Sequence, residues 1–515
     1  MTEKRFNLLD DPWIPCKLKN GEYKLLNVKD SLYMGNDILE IISPNPLIIA
    51  SLHRLLLAIL HRNFGPKNKA EWIAIKKNGK WDKTLLEEYF AKWHENFNLL
   101  GNGRRFYQVD ISEEVSKDTP ITKLNQALSS GNNTSLFDHS WDSEIKPIPV
   151  EEAAQLVIAY QNFSVQGGVS KPYYLSNAPL VSGIVVLLKG ESLFETLLLN
   201  FIRYDEKHPF QQSSKHEDLP FWEREDTSLY EGKEGRFPNG YLDLLTWQSR
   251  RLWLNSIEID GSILINKVKI AQGEKIHKDW NQEPQIVFSM NKDNEKKPIQ
   301  LYPDRQVWRD VEALLRLNDS TSKTISPIAV NWISSIIQEK KVSFSKRYSM
   351  ELYGLCNKKA KIIDWIHSCI PLPIIYLKDQ TTIEDVKSFI STCEKIEKLL
   401  GKTLSSFTKD YLFPNSNNLS SAQRNKLDQF IDGYQLKIKY WNAMEEYFYL
   451  VINEVADESD FGKRQEIIEK YLTKKIIPHC RDLLNSVKNS LKEDPRAFKS
   501  IIRNFGFFFS QITEI

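Results

Sequence analysis

The sequence predicts an α+β protein in two parts: a large mixed α/β domain over residues 1–370, followed by a four-helix bundle over residues 371–515. Three observations carry this. Residues 6–15 read FNLLDDPWIP, an apolar strand-like start that runs into two prolines around Trp13. Each proline removes a helical hydrogen bond and biases the preceding residue to extended geometry, so the segment is a short edge strand ending in a rigid turn. Residues 252–270 alternate apolar and polar about Asp260-Gly261, the dipeptide of a tight hairpin. From about residue 375 the apolar period changes from two to helical, with cap signals at each start.

Bulk properties bound the class. At 515 residues the chain exceeds what one core supports. Its 41% hydrophobic and 26% charged residues are those of an ordinary globular protein. With 69 basic against 67 acidic residues the net charge is +2, so any nucleic-acid surface must be local. The five cysteines, at 16, 356, 369, 393 and 480, form no Cys-x-x-Cys pair and suggest neither a zinc ribbon nor a disulfide framework. The start lacks an apolar signal core, and the most apolar long run, 47–60, is interrupted by His53-Arg54. A cytoplasmic protein without a membrane span is expected.

In chain order, Asn45 caps a helix that begins at Pro46 and ends at Gly65, apolar on nearly its whole circumference and therefore buried. Residues 67–83 carry six lysines with Trp72 and Trp81 between them, either a solvated face or a phosphate contact. Residues 112–149 are polar and irregular, with an apolar pair, Leu136-Phe137, that calls for a partner or for folding back onto the core. A helix is predicted over 149–160, a Gly-Gly turn at Gly167-Gly168, a strand over 181–188 and a helix over 193–202. Further helices are expected over 308–317 and after Ser326-Pro327.

At the junction of the two parts, Lys340, Lys341, Lys346, Arg347, Lys358, Lys359 and Lys361 meet only Glu351 in opposition, with Phe344, Tyr348 and Tyr353 interleaved. Cations with flat rings suit phosphates and bases, and a soluble hinge has the same composition. The glycine and asparagine of 354–360 read as a turn before a helix starting near Lys361. In the rear part, Thr381-x-x-Glu384 and Ser420-x-x-Gln423 form capping boxes. They open a helix to Gly401 and a long helix striped by Leu427, Phe430, Tyr434, Ile438, Trp441, Glu445, Phe448, Ile452 and Val455. Helices over 463–491, kinked at Pro478, and over 495–512 complete the bundle.

Catalytic motifs are absent: no phosphate-binding loop, His-Glu-x-x-His or Gly-x-Ser-x-Gly stands in the chain. The nine histidines keep no metal-site spacing, and adjacent His479-Cys480 point in different directions on a helix. The balance shifts from enzyme to binding protein.

Several separated words, in order, resemble the CasA family, the large subunit of the type I-E CRISPR surveillance complex Cascade. They are FNLLDDPWIP, the helix after Asn45-Pro46, the Thr119-Pro120 helix leading into a long loop, Gly167-Gly168, DLLTWQSRR at 243–251, WRDVEALL at 308–315 and the final bundle. The resemblance implies a non-catalytic subunit of a crRNA-guided complex that reads the PAM in double-stranded DNA through the minor groove. It would help open the strands and recruit a helicase-nuclease. Carried over by position, the family's glycine loop falls on Gly167 and Gly168, its lysine on Lys275, and its wedge on Asn357, Lys358 and Lys359, where the best-known members have amides. The loop that touches crRNA and attaches the subunit falls on Asn133, Leu136 and Phe137. Some members hold a cysteine-rich metal site between Trp247 and Lys275; with no cysteine there, no zinc and no cofactor are expected. A purely architectural subunit with weakened DNA contacts, and a stand-alone enzyme with scattered catalytic residues, are the competing readings.

Overall fold

The computed structural model describes residues 5–125, 146–167, 175–225, 232–303, 305–316, 323–345, 348–358, 361–414, 416, 418–491 and 494–512, without the side chains at 358 and 361. Asn133, Leu136, Phe137, Gly168 and Lys359 lie outside these residues. Two compact units result, Met1–Lys378 and Asp379–Ile515.

In the first unit, Phe6–Asn7 pairs antiparallel with Asn98–Leu100, and the chain then turns so that Trp13 is sealed in the core. Its indole N–H donates to Leu8 O at 3.0 Å and its backbone N–H to Leu26 O at 3.0 Å. The next strand, Ile14–Leu18, lies between Tyr23–Leu26 and Ile38–Ile41 in a three-stranded sheet. Pro15 fits there because its carbonyl still accepts from Ile42 N at 2.9 Å.

Helix Pro46–Phe64 starts as expected, the Asn45 side chain accepting from Leu47 N at 3.0 Å. It has the length and apolarity of a membrane span, yet 78% of its apolar window is buried inside the protein. Arg54 on this helix is fully buried, its charge matched by Glu283 at 2.9 Å with further bonds to Gln285 Oε1 and Leu244 O.

The Arg250–Ile259 and Ser262–Gln272 strands pair across Asp260-Gly261. Both turn residues have positive φ, 50° and 76°, the requirement of the two-residue turn that matches strand twist. The strand predicted over 181–188 starts later, as Val185–Lys189. Gly183 holds φ 142° before it, and a Cβ there would lie 2.8 Å from Ile286 Cγ2. Ser326 does not cap the following helix, Ile328–Ile337; its hydroxyl accepts from Asn331 instead.

The largest correction is at residues 349–371. No helix starts near Lys361: Ser349–Lys358 and Lys361–Pro371 form an antiparallel hairpin whose inner strand pairs with Val185–Lys189. Gly354 is a mid-strand residue and not a turn, because a Cβ there would overlap Leu301 Cδ1 and sit 2.8 Å from Gly183 O. A missing side chain makes room for a neighbour.

The second unit is helical. Gln380–Leu412 is capped by Asp379, whose carboxylate accepts from Thr381 N at 2.9 Å, so the Thr381 box does not form. The helix continues through Gly401, since Leu404 and Phe407 beyond it still reach the core. The Ser420–Gln423 box forms with both of its bonds. Gln435 takes a left-handed φ of 51° and splits the long helix into Ser421–Tyr434 and Leu436–Asp457. Beyond that break Ile438 is exposed and Tyr440 and Met444 turn inward, while Trp441, Phe448, Ile452 and Val455 of the expected stripe are buried. A π-turn at Leu472–Ile476 precedes Pro478, so the proline falls in the first turn of Ile477–Ser490, where its missing N–H costs nothing. Pro495–Gln511 packs along Gln380–Leu412. Within this core Arg464 Nε donates to Asp385 Oδ2 at 2.5 Å, both side chains almost fully buried.

Buried titratable groups make the stability of both units testable. His53 and His61 are sealed in the first unit and burial lowers both pKa values to about 4. Their unfolded value lies near 6.5, so the unfolded chain binds more protons between these limits. Stability present above pH 6.5 is therefore lost as pH falls toward 4, by about 3 kcal/mol for each histidine. Denaturant unfolding between pH 7 and 4 checks this, and His53→Gln should flatten the decline. In the second unit, Asp385→Ala should cost about 3–5 kcal/mol by stranding the Arg464 charge, while Asp385→Leu with Arg464→Met should recover most of it in thermal melts.

Candidate nucleic-acid interface

Gly167 holds φ 128°, a conformation that side chains rarely adopt, and its N–H donates to Leu175 O at 3.1 Å. Below it the two legs of the loop are tied by Ala178 N to Ser164 O at 2.9 Å and Leu180 N to Asn162 O at 3.0 Å. The buried guanidinium of Arg250 clamps both legs, donating from Nη2 to Val165 O at 3.0 Å and Ser176 O at 2.6 Å. Burial pushes the Arg250 pKa down to about 10, which leaves it charged at neutral pH.

The same clamp leads to Lys275. Gln272 Oε1 accepts from Ser176 N at 2.8 Å at the end of the long hairpin. Gly273 follows, where a Cβ would overlap Gln248 O, and Glu274 N then donates to Gln248 O at 2.8 Å. The Glu274 carboxylate sits in a buried network with Arg224, Arg236 and Asp243; Arg236 Nε reaches Glu274 Oε1 at 2.9 Å and Nη2 reaches Asp243 Oδ1 at 2.9 Å. Burial works to raise the Asp243 pKa, but Arg224 and Arg236 outweigh it and hold the group below its ordinary value. On this base, Lys275 O accepts from Arg236 N at 2.9 Å, while its Nζ folds back onto Lys233 O at 2.9 Å. Asp243, Trp247, Gln248, Ser249 and Arg250 thus all support these two loops: Trp247 donates to Glu274 O and Ser249 O accepts from Gly273 N.

The third predicted element ends the 349–371 hairpin. Asn357 pairs with Ile362 and Lys358 with Lys361, and the chain reverses between them. One apolar cluster contains Phe163 and Leu180 from the glycine-loop stem, Tyr353 and Leu355 from the hairpin, and Ile286 and Phe288; Val165 and Ile362 pack against it. Gly167 lies two residues beyond Val165, and Asn357 lies opposite Ile362. The glycine-loop stem and the hairpin thus share one apolar cluster, and the Ser176–Gln272 bond ties the glycine loop to the strand that leads to Lys275.

The rings interleaved with the lysines at the junction form no stacking platform. Tyr348 and Tyr353 are buried, Tyr353 stacking on His367 with centroids 4.9 Å apart, and Phe344 stacks on Trp72 with Lys76 above it. Tyr348 and Tyr353 are core, and the half-buried Phe344 is covered by Trp72 and Lys76, so these rings leave no platform for bases. Of the lysines over 67–83, Lys69, Lys76 and Lys83 pair with Glu339, Glu195 and Glu87, and Trp72 and Trp81 are buried, as a solvated face requires. Conversely, Lys296 was missed. Its Nζ lies 4.8 Å above the Phe288 ring, burial lowers its pKa, and it makes no ion pair among the described residues. A lysine in the sequence carries no sign of its counter-charge, so only the fold shows this one unpaired beside the shared cluster.

The protein-family model for CRISPR-associated protein Cse1 matches residues 7–477. The CRISPR-associated protein CasA/Cse1 of Thermus thermophilus is 26% identical over 474 residues, covering 90% of each chain. A crystal structure of Thermus thermophilus CasA superposes with a TM-score of 0.81 at 20% identity, covering 99% of this chain and 100% of that one. A chain of a CRISPR RNA-guided surveillance complex gives 0.76 at 19% identity, covering 98% and 99%. The α+β architecture and the match along nearly the whole sequence agree: this chain belongs to the CRISPR-associated Cse1 family, also called CasA.

Proposed function

We propose that this chain is the large subunit of a crRNA-guided Cascade surveillance complex, where it reads the PAM beside the target in duplex DNA and helps part the strands. The observation that carries the reading is the common apolar base beneath the glycine-loop stem and the lysine-tipped hairpin, Val165 on one side and Ile362 on the other. In this reading a duplex laid across that base meets backbone from the glycine loop and the end of the hairpin, with Lys275 as the side chain that enters the groove. The minor groove offers a degenerate pattern, mainly A·T against G·C, so backbone and a single lysine read it permissively. Lys275 reaches the groove by releasing Lys233 O, and Lys296 supplies a further cation toward phosphate.

Unstacking a base step at the hairpin costs a few kcal/mol, and guide pairing then replaces the duplex at near balance. The subunit makes and breaks no bond; cleavage falls to a recruited helicase-nuclease. Attachment to crRNA and the neighbouring subunits is assigned to Asn133, Leu136 and Phe137, in the cytoplasm.

In the assembled complex, Lys358→Ala with Lys359→Ala should weaken target binding and reduce the salt slope by up to about two units, at about 0.9 per phosphate contact. Filter binding over a salt series, with permanganate detection of opened thymines, reads both effects. Unchanged slope and opening would leave a purely architectural subunit. Phe137→Ala should loosen association, seen as loss of this chain from the complex on dilution; full retention would remove that role.

A further inference from the structure

Two short segments are laced in parallel beside Lys275. Arg236 N donates to Lys275 O and His277 N donates to Arg236 O, both at 2.9 Å, which pairs Arg236 with Ile276. Gly235 permits this approach: it holds φ 81°, and a Cβ there would lie 2.6 Å from Lys275 O. Side chains along an extended segment alternate between its two faces. On the buried face the Arg236 guanidinium meets the Glu274 carboxylate, Nε to Oε1 at 2.9 Å. Lys275 and His277 on one segment, and Phe237 on the other, therefore emerge together on the opposite face. The rings bear this out, since Phe237 and His277 stack with centroids 4.7 Å apart and planes 22° from parallel. Asp279 N donates to His277 Nδ1 at 3.3 Å and steadies the imidazole. Even so stacked, Phe237 stands 52% exposed, the one exposed phenylalanine among the described residues of the first unit.

We propose that Phe237 is a specificity-determining residue for the sequence beside the target, an apolar contact to the minor groove that disfavours the 2-amino group of guanine. The inference rests on the reading that Lys275 enters that groove, because the lacing carries Phe237 wherever Lys275 goes. In the minor groove A·T and G·C pairs both present acceptors, and G·C adds the guanine amino donor. A phenyl ring offers that donor no more than a weak π contact. A G·C pair beneath Phe237 therefore buries an N–H without a proper acceptor, a cost that an A·T pair does not incur. Phenylalanine is also among the residues that minor-groove proteins set against base steps. Lys275 supplies attraction to any sequence, and the ring beside it supplies the discrimination.

The test measures binding of the assembled complex to duplexes that differ at one flanking pair. Inosine·C keeps the major-groove face of G·C without the 2-amino group, and 2,6-diaminopurine·T adds that group to A·T. At the pair beneath Phe237, the native complex should bind inosine·C about 5- to 100-fold more tightly than G·C, and A·T more tightly than diaminopurine·T by a similar factor. Phe237→Ala should bring both ratios close to one, Phe237→Leu should keep them, and Lys275→Ala should weaken all four duplexes alike. Equal binding of the paired duplexes by the native complex at every flanking position, or ratios unchanged in Phe237→Ala, would overturn the assignment. Loss of the Phe237→Ala chain from the complex with the ratios intact would also overturn it, in favour of a protein contact. Lys275→Ala without effect on any duplex, alongside ratios that collapse in Phe237→Ala, would sustain Phe237 and refute the role of Lys275 alone.

Discussion

A fully buried guanidinium holds the candidate interface together. Arg250 reaches Val165 O on one leg of the glycine loop and Ser176 O on the other, and Ser176 in turn binds Gln272, three residues before Lys275. A buried charge whose Nη donors meet carbonyls fixes those carbonyls in place, because any loosening strands the charge in a medium that cannot solvate it. Exposed loops are thereby set with the precision of a core, which backbone-mediated recognition needs.

The stability of this region and the contacts proposed to meet DNA come from different atoms. Apolar packing by Phe163, Leu180, Tyr353 and Leu355 fixes where the loop stem and the hairpin stand. The Arg236–Asp243–Glu274 network fixes the loop that carries Lys275. Neither set is exposed to a ligand, and the surface charges above them are free to vary. That separation lets the residues at the hairpin end change without disturbing the fold.

Much of this was legible from sequence where the local signal and the tertiary demand agree. Asn45-Pro46, Asp260-Gly261 and Ser420-x-x-Gln423 each specify a backbone conformation through their own chemistry, and each forms. Elements fixed by distant contacts were misread. Gly354 looks like a turn until Leu301 is seen against it, and Gly401 looks like a stop until Leu404 and Phe407 are seen in the core. The word DLLTWQSRR was recognisable as a family mark, but its purpose became visible only when Asp243 through Arg250 were found supporting two loops. Lys296 escaped notice because the lack of a counter-ion among the described residues is a property of the fold and leaves no trace in residue spacing.

The central claim is that the end of the 349–371 hairpin approaches the flank of a target duplex from the minor-groove side. Tethering an iron chelate through Asn357→Cys, in a Cys369→Ser background, generates hydroxyl radicals at that point in the assembled complex. The account predicts cleavage of both strands confined to the few base pairs flanking the guide-paired region, with the offset of a minor-groove source. Cleavage distributed evenly along the duplex, or absent from that flank, would contradict it.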